Sequence, residues 1–311
     1  MTYTDKKTAA DPALLRQNFT YLRRERDRNA QIWDGILRQT ARLGFPEKSL
    51  PPYLAGLVAA EATPEDVAAW YRELYGYADD EAERALYTLD FARFCTAYAP
   101  YFPGNAMRFL PEIAEADTDA DFRSTAYLQN TYSDRAYRIF SAQIPGMTAE
   151  YHSSFADVCE EVYDNRCRYA ILPLYTAADG RLVSFQKLLS RYDLKICMAA
   201  AVDMGDDDEM HFALLRKHLH MPQEAGTVYW DLSVVLTEEI PLGTFFACLE
   251  VFGAKILSVH TLPLTYASDL DETCVHLNMT GADGNGMAIF LEATHIRYTV
   301  DGIYSLLQSG I

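Results

Sequence analysis

The sequence predicts an α + α/β fold in three parts: a helical N-terminal domain over residues 1–115, a single α/β lobe over 123–222, and a C-terminal ferredoxin-like domain over 226–311. Three observations predict it. Apolar residues recur at helical spacing through the first hundred residues. Short apolar runs alternate with helical stretches from Thr125 onward, the pattern of βαβ units around a largely parallel sheet. The last segment reads strand, helix, strand, strand, helix, strand, the order of a small two-layer sandwich.

Taken in order, Leu14, Leu15, Phe19, Leu22, Ile32, Trp33, Ile36 and Leu37 form one helical stripe that Gly44 and Pro46 end. Thr63-Pro64-Glu65-Asp66 is a helix start, with a hydroxyl for an orphan amide, proline in the first turn and acids against the dipole; that helix runs to about Tyr75. A third helix spans Asp80 to Tyr98, and Pro100 stops it. Glu112 to Asp121 is rich in Pro, Ala and acid and reads as a linker. In the lobe, Lys195–Val202 and His211–Leu215 read as strands separated by an acidic loop from Met204 to Glu209. In the last part, strands are expected at Thr227–Thr237, Ile256–Leu264 and Thr273–Asn278, helices at Leu242–Phe252 and Gly286–Thr294, and a short end strand near Ile303–Leu306.

Composition narrows the function. The 311 residues are 50% hydrophobic, ample for ordinary cores, and carry 27 basic against 44 acidic side chains, a net charge of −17. That field repels a phosphate backbone, and the one arginine cluster, Arg23-Arg24-Glu25-Arg26-Asp27-Arg28, is interrupted by acids, so no nucleic acid is expected. No run of about eighteen apolar residues and no hydrophobic leader in Met1–Asp11 are read, so the expectation is a cytoplasmic protein with no membrane partner. Cys95, Cys159, Cys167, Cys197, Cys248 and Cys274 lie scattered without a CxxC pair and read as reduced packing residues; no metal and no cofactor are expected.

Several stretches resemble prephenate dehydratases with a C-terminal ACT regulatory domain. Ala126 to Ser133 is similar to the family's opening strand and glycine-rich turn, ending in Thr131-Tyr132-Ser133. Ser154-Phe155-Ala156-Asp157-Val158 with Val162 is similar to its Ser-Phe-x-x-Val helix, and Arg168 to Leu174 to its next strand. Pro241-Leu242-Gly243-Thr244-Phe245-Phe246 resembles the strand-to-helix turn of the ACT domain, where glycine lets a ligand approach the backbone. The resemblance implies a lobe of the periplasmic-binding-protein type, with substrate held between two lobes. It also implies a candidate ligand site at Tyr175, Thr176, Gly243, Thr244 and Phe245.

The departures carry as much weight. The tract expected to read Glu-Asn-Ser-Thr is Tyr175-Thr176-Ala177-Ala178, and the Thr-Arg-Phe signature of catalysis and carboxylate binding falls on Met210-His211-Phe212. Between Val202 and Met210, where the family inserts its second lobe, only the acidic loop remains. Prephenate carries two carboxylates, and holding them needs cationic or hydrogen-bonding groups with a proton donor for the leaving hydroxyl. Methionine supplies neither. The reading is therefore a divergent, non-catalytic relative in phenylalanine metabolism that binds a small carboxylated or aromatic ligand or a pathway partner and forms a homodimer through its ACT-like part. The alternative is an active prephenate dehydratase, or a bifunctional protein whose N-terminal helices are chorismate mutase-like, with Arg16, Arg23, Arg24, Arg38, Arg42 and Gln39 facing one groove. Asp206 to Glu209 reads as a solvated turn and His218 and His220 as surface residues.

Overall fold

Helix starts are fixed by side chains that accept the orphan amides of a first turn. Thr63 opens α1 (Pro64–Tyr75): its hydroxyl accepts from the Asp66 amide at 3.3 Å, while the Asp66 carboxylate accepts from the Thr63 amide at 2.9 Å. A second helix, α2 (Glu81–Tyr98), runs into two short 3-10 turns, Ala99–Tyr101 and Ala106–Phe109. The computed structural model describes residues 63–75, 81–102, 104–110, 123–176, 178–205, 208–220, 227–262 and 273–308, together with Tyr21, Arg24, Arg28 and Gln31, which are helical. The linker and the rest of the first expected helix, with Arg16, Arg23, Arg38, Arg42 and Gln39, lie outside these residues.

The next segment alternates as expected: β1 (Ser124–Leu128), α3 (Thr131–Gln143), β2 (Thr148–His152), α4 (Phe155–Tyr163), β3 (Tyr169–Thr176), a two-residue β4 (Gly180–Arg181), α5 (Val183–Tyr192), β5 (Lys195–Gly205) and β6 (Asp208–Arg216). The remainder is β7 (Val228–Leu236), α6 (Leu242–Val251), β8 (Lys255–Leu262), β9 (Thr273–Thr280), α7 (Gly284–Ala293) and β10 (Arg297–Gln308). Within the C-terminal βαββαβ unit the strands lie in the order β10-β7-β9-β8, all antiparallel neighbours.

Four features depart from the sequence expectation. The lobe's sheet is mixed rather than largely parallel, because β6 pairs antiparallel with both β3 and β5. The acidic loop is shorter than expected, because β5 and β6 pair antiparallel until Gly205 stands opposite Asp208. The end strand is long rather than short: β10 spans twelve residues, because Asp301 and Gly302, which interrupt its apolar run, are themselves buried within it. Most consequentially, β10 pairs parallel with β5, so the two α/β parts share one sheet in the order β2-β1-β3-β6-β5-β10-β7-β9-β8.

Alternation along the strands sorts this sheet's two faces. Tyr127, Ile171, Phe212 and Leu214 pack under α3, and Trp230, Leu232, Leu277 and Ile303 pack under α6 and α7 on the same side. Ala170, Leu172, Ala199 and Leu215 face α4 and α5 on the other. Helices α1 and α2 close the outer surface of α6 and α7: Val67, Tyr71, Phe91, Phe94 and Cys95 join Phe245, Cys248, Met287 and Phe290 in one apolar cluster. The described N-terminal helices thus share a core with the C-terminal unit. Phe91 and Phe290 lie 6.1 Å apart in that seam, at a tilt suited to aromatic contact. None of the described helices is long and apolar enough to cross a membrane.

Candidate functional site

In an open α/β sheet, ligands gather beyond the carboxyl ends of the strands, where the strand order reverses. Here that point lies between β1 and β3, and α3 begins there. Its N-terminus is closed by the chain itself: the Asn130 side-chain oxygen accepts from the Tyr132 and Ser133 amides at 3.0 and 2.9 Å. Asp134 adds a carboxylate in the first turn and accepts from the Tyr127 hydroxyl at 3.0 Å. The nearby Arg135 donates to the Asp203 carbonyl at 2.7 Å, tying α3 to the end of β5. Two amides that could have met an anion at this helix end are therefore committed. Thr131 is exposed, Tyr132 half-buried and Ser133 buried, with its hydroxyl unpartnered.

The Met210-His211-Phe212 tract divides between the two faces, because successive strand residues point oppositely. Met210, like Tyr132, packs against the cluster on the α3 side, and Phe212 is 2% exposed within it. His211 turns to the other face, opposite Tyr175 in the β3–β6 register. Their rings lie 5.0 Å apart, and the His211 Nε2 is 2.6 Å from the Glu209 carboxylate. Together Tyr175, Glu209 and His211 form one wall of a cavity of about 500 Å³ whose opposite wall comes from the C-terminal unit: Tyr229, Ser258, Asn278 and Tyr304. The Tyr229 and Tyr304 rings stack at 5.7 Å. Thus the structure brings Tyr175 and His211 together as lining residues. Thr176 turns instead to Asp179, whose amide it accepts at 3.0 Å, and Gly243, Thr244 and Phe245 lie away from the cavity at the start of α6, Phe245 fully buried in the core. Among the described lining residues there is no arginine or lysine.

Beneath Asn278 and Tyr304 lies a polar cluster that sequence reasoning missed. Asp231, His276 and Asp301 are 0%, 1% and 4% exposed. The Asp231 carboxylate accepts from the Tyr304 hydroxyl at 2.8 Å and the Asn278 amide at 3.2 Å, and lies 3.1 Å from His276 Nε2. On the other ring edge, His276 Nδ1 is 3.0 Å from the Ser233 hydroxyl and 3.2 Å from the Asp301 carboxylate, which also accepts from Ser233 at 2.6 Å. Both imidazole nitrogens face oxygens, a pattern that a doubly protonated ring satisfies. Gln186 of α5 donates to Asp301 at 3.2 Å, so the cluster also joins the lobe to the C-terminal unit. Its readable trace was alternation: Asp231 and Ser233 between Trp230, Leu232 and Val234, and His276 and Asn278 between Val275, Leu277 and Met279.

The cysteines are free, and burial pushes the Cys159, Cys197 and Cys248 thiols up to about 12. Glu150, His152 and Cys167 bring three possible metal-ligand atoms within 4.8 Å of one another, but burial holds the Cys167 thiol up at about 11, so a metal would have to displace its proton. His218 is exposed as expected, whereas His220 is half-buried, its pKa lowered by burial and by Arg216 and Arg168.

Comparison with known proteins follows the α/β lobe. Residues 128–205 match the family model described as prephenate dehydratase. No curated protein matches the chain. Among solved structures, prephenate dehydratase from Streptococcus mutans is 16% identical, with 59% of this chain and 98% of that one covered and a TM-score of 0.47. GqqA, described as a novel type of quorum-quenching acylase, is 18% identical, with 58% and 94% covered and a TM-score of 0.45. The prephenate dehydratase of Arthrobacter aurescens, solved in complex with L-Phe, is 11% identical, with 58% and 90% covered and a TM-score of 0.44. The stretch from the end of β1 through β5 is thus similar to the prephenate dehydratase family.

Proposed function

We propose that the chain is a non-catalytic prephenate dehydratase-like protein of phenylalanine metabolism that binds a small aromatic ligand in the cavity between its lobe and its C-terminal unit. The observation that carries this reading is the tight β5–β6 pairing, Gly205 opposite Asp208, at the place where the resemblance leads one to expect a second lobe. The wall facing Tyr175 and His211 is the C-terminal sheet instead, and the described lining offers tyrosine rings, Glu209 and Asn278. A doubly anionic substrate would meet a carboxylate there rather than an arginine fork.

The βαββαβ order of the C-terminal unit supports assigning it as an ACT-like domain, and its outer strand supports a homodimer. One edge of that unit is occupied by β5 and its helical face by α1 and α2, which leaves β8, where Leu257 is 47% and Val259 41% exposed.

A second reading, an active dehydratase with a rebuilt site, is favoured by one observation: the His211–Glu209 pair lies in the cavity wall and could hold a proton for a departing hydroxyl. One experiment separates the two. Purified protein is supplied with prephenate, and phenylpyruvate absorbance is followed, for the natural chain and for His211→Gln. The non-catalytic reading expects no turnover above the buffer rate and a thermal shift with aromatic ligands that Tyr175→Ala removes. Turnover abolished by His211→Gln would establish the second reading and end the first.

A further inference from the structure

Another cavity, about 490 Å³, opens at the seam between the N-terminal helices and the C-terminal unit, and shares no lining residue with the cavity beside His211. Its walls are Arg72 of α1, Arg84, Tyr87 and Phe91 of α2, Glu239 before α6, and His295 beyond the end of α7. In a chain with 44 acidic and 27 basic residues, a guanidinium usually finds a carboxylate, as Arg93 does with Asp90 at 2.8 Å. These two do not. Among the described residues the Arg84 guanidinium has no partner, and Arg72 donates only to its own helix, Nε to the Ala68 carbonyl at 3.3 Å.

A structural role at the negative end of α7 is the obvious competitor, since cations favour helix C-termini. That end is already served by its own chain: the Thr294 hydroxyl donates to the Phe290 carbonyl at 2.7 Å and the Thr294 amide to the same oxygen at 3.0 Å. Two guanidiniums from different helices thus face a shared space where, among the described lining residues, the one acid is Glu239, and whose surface includes the apolar Ala68, Phe91 and Ile240. Guanidinium recognises carboxylates through paired donors, and the apolar wall calls for a hydrocarbon or aromatic body.

We infer that this seam is a second ligand site, one that takes a small organic carboxylate on an apolar body. The carboxylate bridges Arg72 and Arg84, and the body lies against Phe91 and Ile240. Binding ties α1 to α2 and both to the C-terminal unit. This assignment is independent of the aromatic ligand proposed for the cavity beside His211.

The test uses the full chain, with hexanoate as probe and hexanol and hexylamine as its neutral and cationic counterparts, followed by calorimetry; none of the three carries the aromatic ring that the other cavity is proposed to take. Hexanoate alone should bind. Arg72→Met and Arg84→Met should each weaken it about tenfold, the value of a hydrogen bond to a charged group, and the lysine variants should recover part of the loss. Tyr175→Ala and His211→Gln, which alter the cavity for aromatic ligands, should leave hexanoate binding unchanged, which distinguishes this site from the other cavity. Thermal melts of the variants without ligand verify folding. Equal binding of hexylamine, or affinities within about twofold of the natural chain in both folded methionine variants, would overturn the inference.

Discussion

His276 shows how much a single buried side chain can carry and how little its position in the sequence discloses. The ring stands between two carboxylates that are almost wholly removed from water, and each accepts further hydrogen bonds from Tyr304, Asn278, Ser233 or Gln186. Breaking a buried charged set by removing one partner leaves the others uncompensated, a loss of about 3–5 kcal/mol. His276→Leu is therefore expected to lower stability by about that amount, read as the shift in urea midpoint. His211→Leu, at the cavity wall, should cost much less. A loss under about 1 kcal/mol for His276→Leu would show that the cluster contributes no more than a surface pair. None of this was legible as a site, because Asp231, His276 and Asp301 are brought together only by strand pairing. The lining residues Tyr175 and His211 were legible, since each sits at a position where the dehydratase resemblance expects polar substrate contacts.

At the scale of elements, strand and helix positions followed from apolar period and capping chemistry, and Thr63, Asn130, Ser154 and Asp283 all cap as their types suggest. β10 did not follow, because a strand whose middle is Asp301-Gly302 loses its alternating signature. Gly302 is there for a spatial reason. It lies opposite Ile196 of β5 and Asp231 of β7, and a methyl group at its Cα would meet the Ile196 Cβ at 2.6 Å and the Ile196 carbonyl oxygen at 3.0 Å. Backbone cannot yield there without parting the strand pair that unites the lobe with the C-terminal unit. Gly302→Ala is thus expected to destabilise by about 1–3 kcal/mol, the range for overfilled interiors, in chemical denaturation. Gly243→Ala, where a new methyl meets nothing within 4 Å, serves as the matched control and should stay near the natural stability.

Over the whole molecule, the arrangement of the parts lay beyond the reach of periodicity, since a pattern reports which face of an element is apolar and not which neighbour covers it. α7 is the case in point: Gly286, Met287, Ala288, Ile289, Phe290 and Leu291 are all buried in succession, so this helix is covered on every side. The C-terminal sheet covers one side, and α1 and α2 supply another. Such enclosure means that the C-terminal unit has grown dependent on the chain's beginning, with Tyr71, Phe91 and Phe94 filling what would otherwise be an open apolar surface. A fragment beginning at Ser124 should consequently expose Phe245, Cys248 and Phe290 and either associate beyond the oligomeric state of the full chain or bind hydrophobic dye, with a lower and broader thermal transition than the full chain. If the fragment instead melts as sharply and as high as the full chain, in the same oligomeric state and without dye binding, then α1 and α2 contribute no stability, and the seam cavity would lose its role as the place where a ligand fastens the N-terminal helices to the rest.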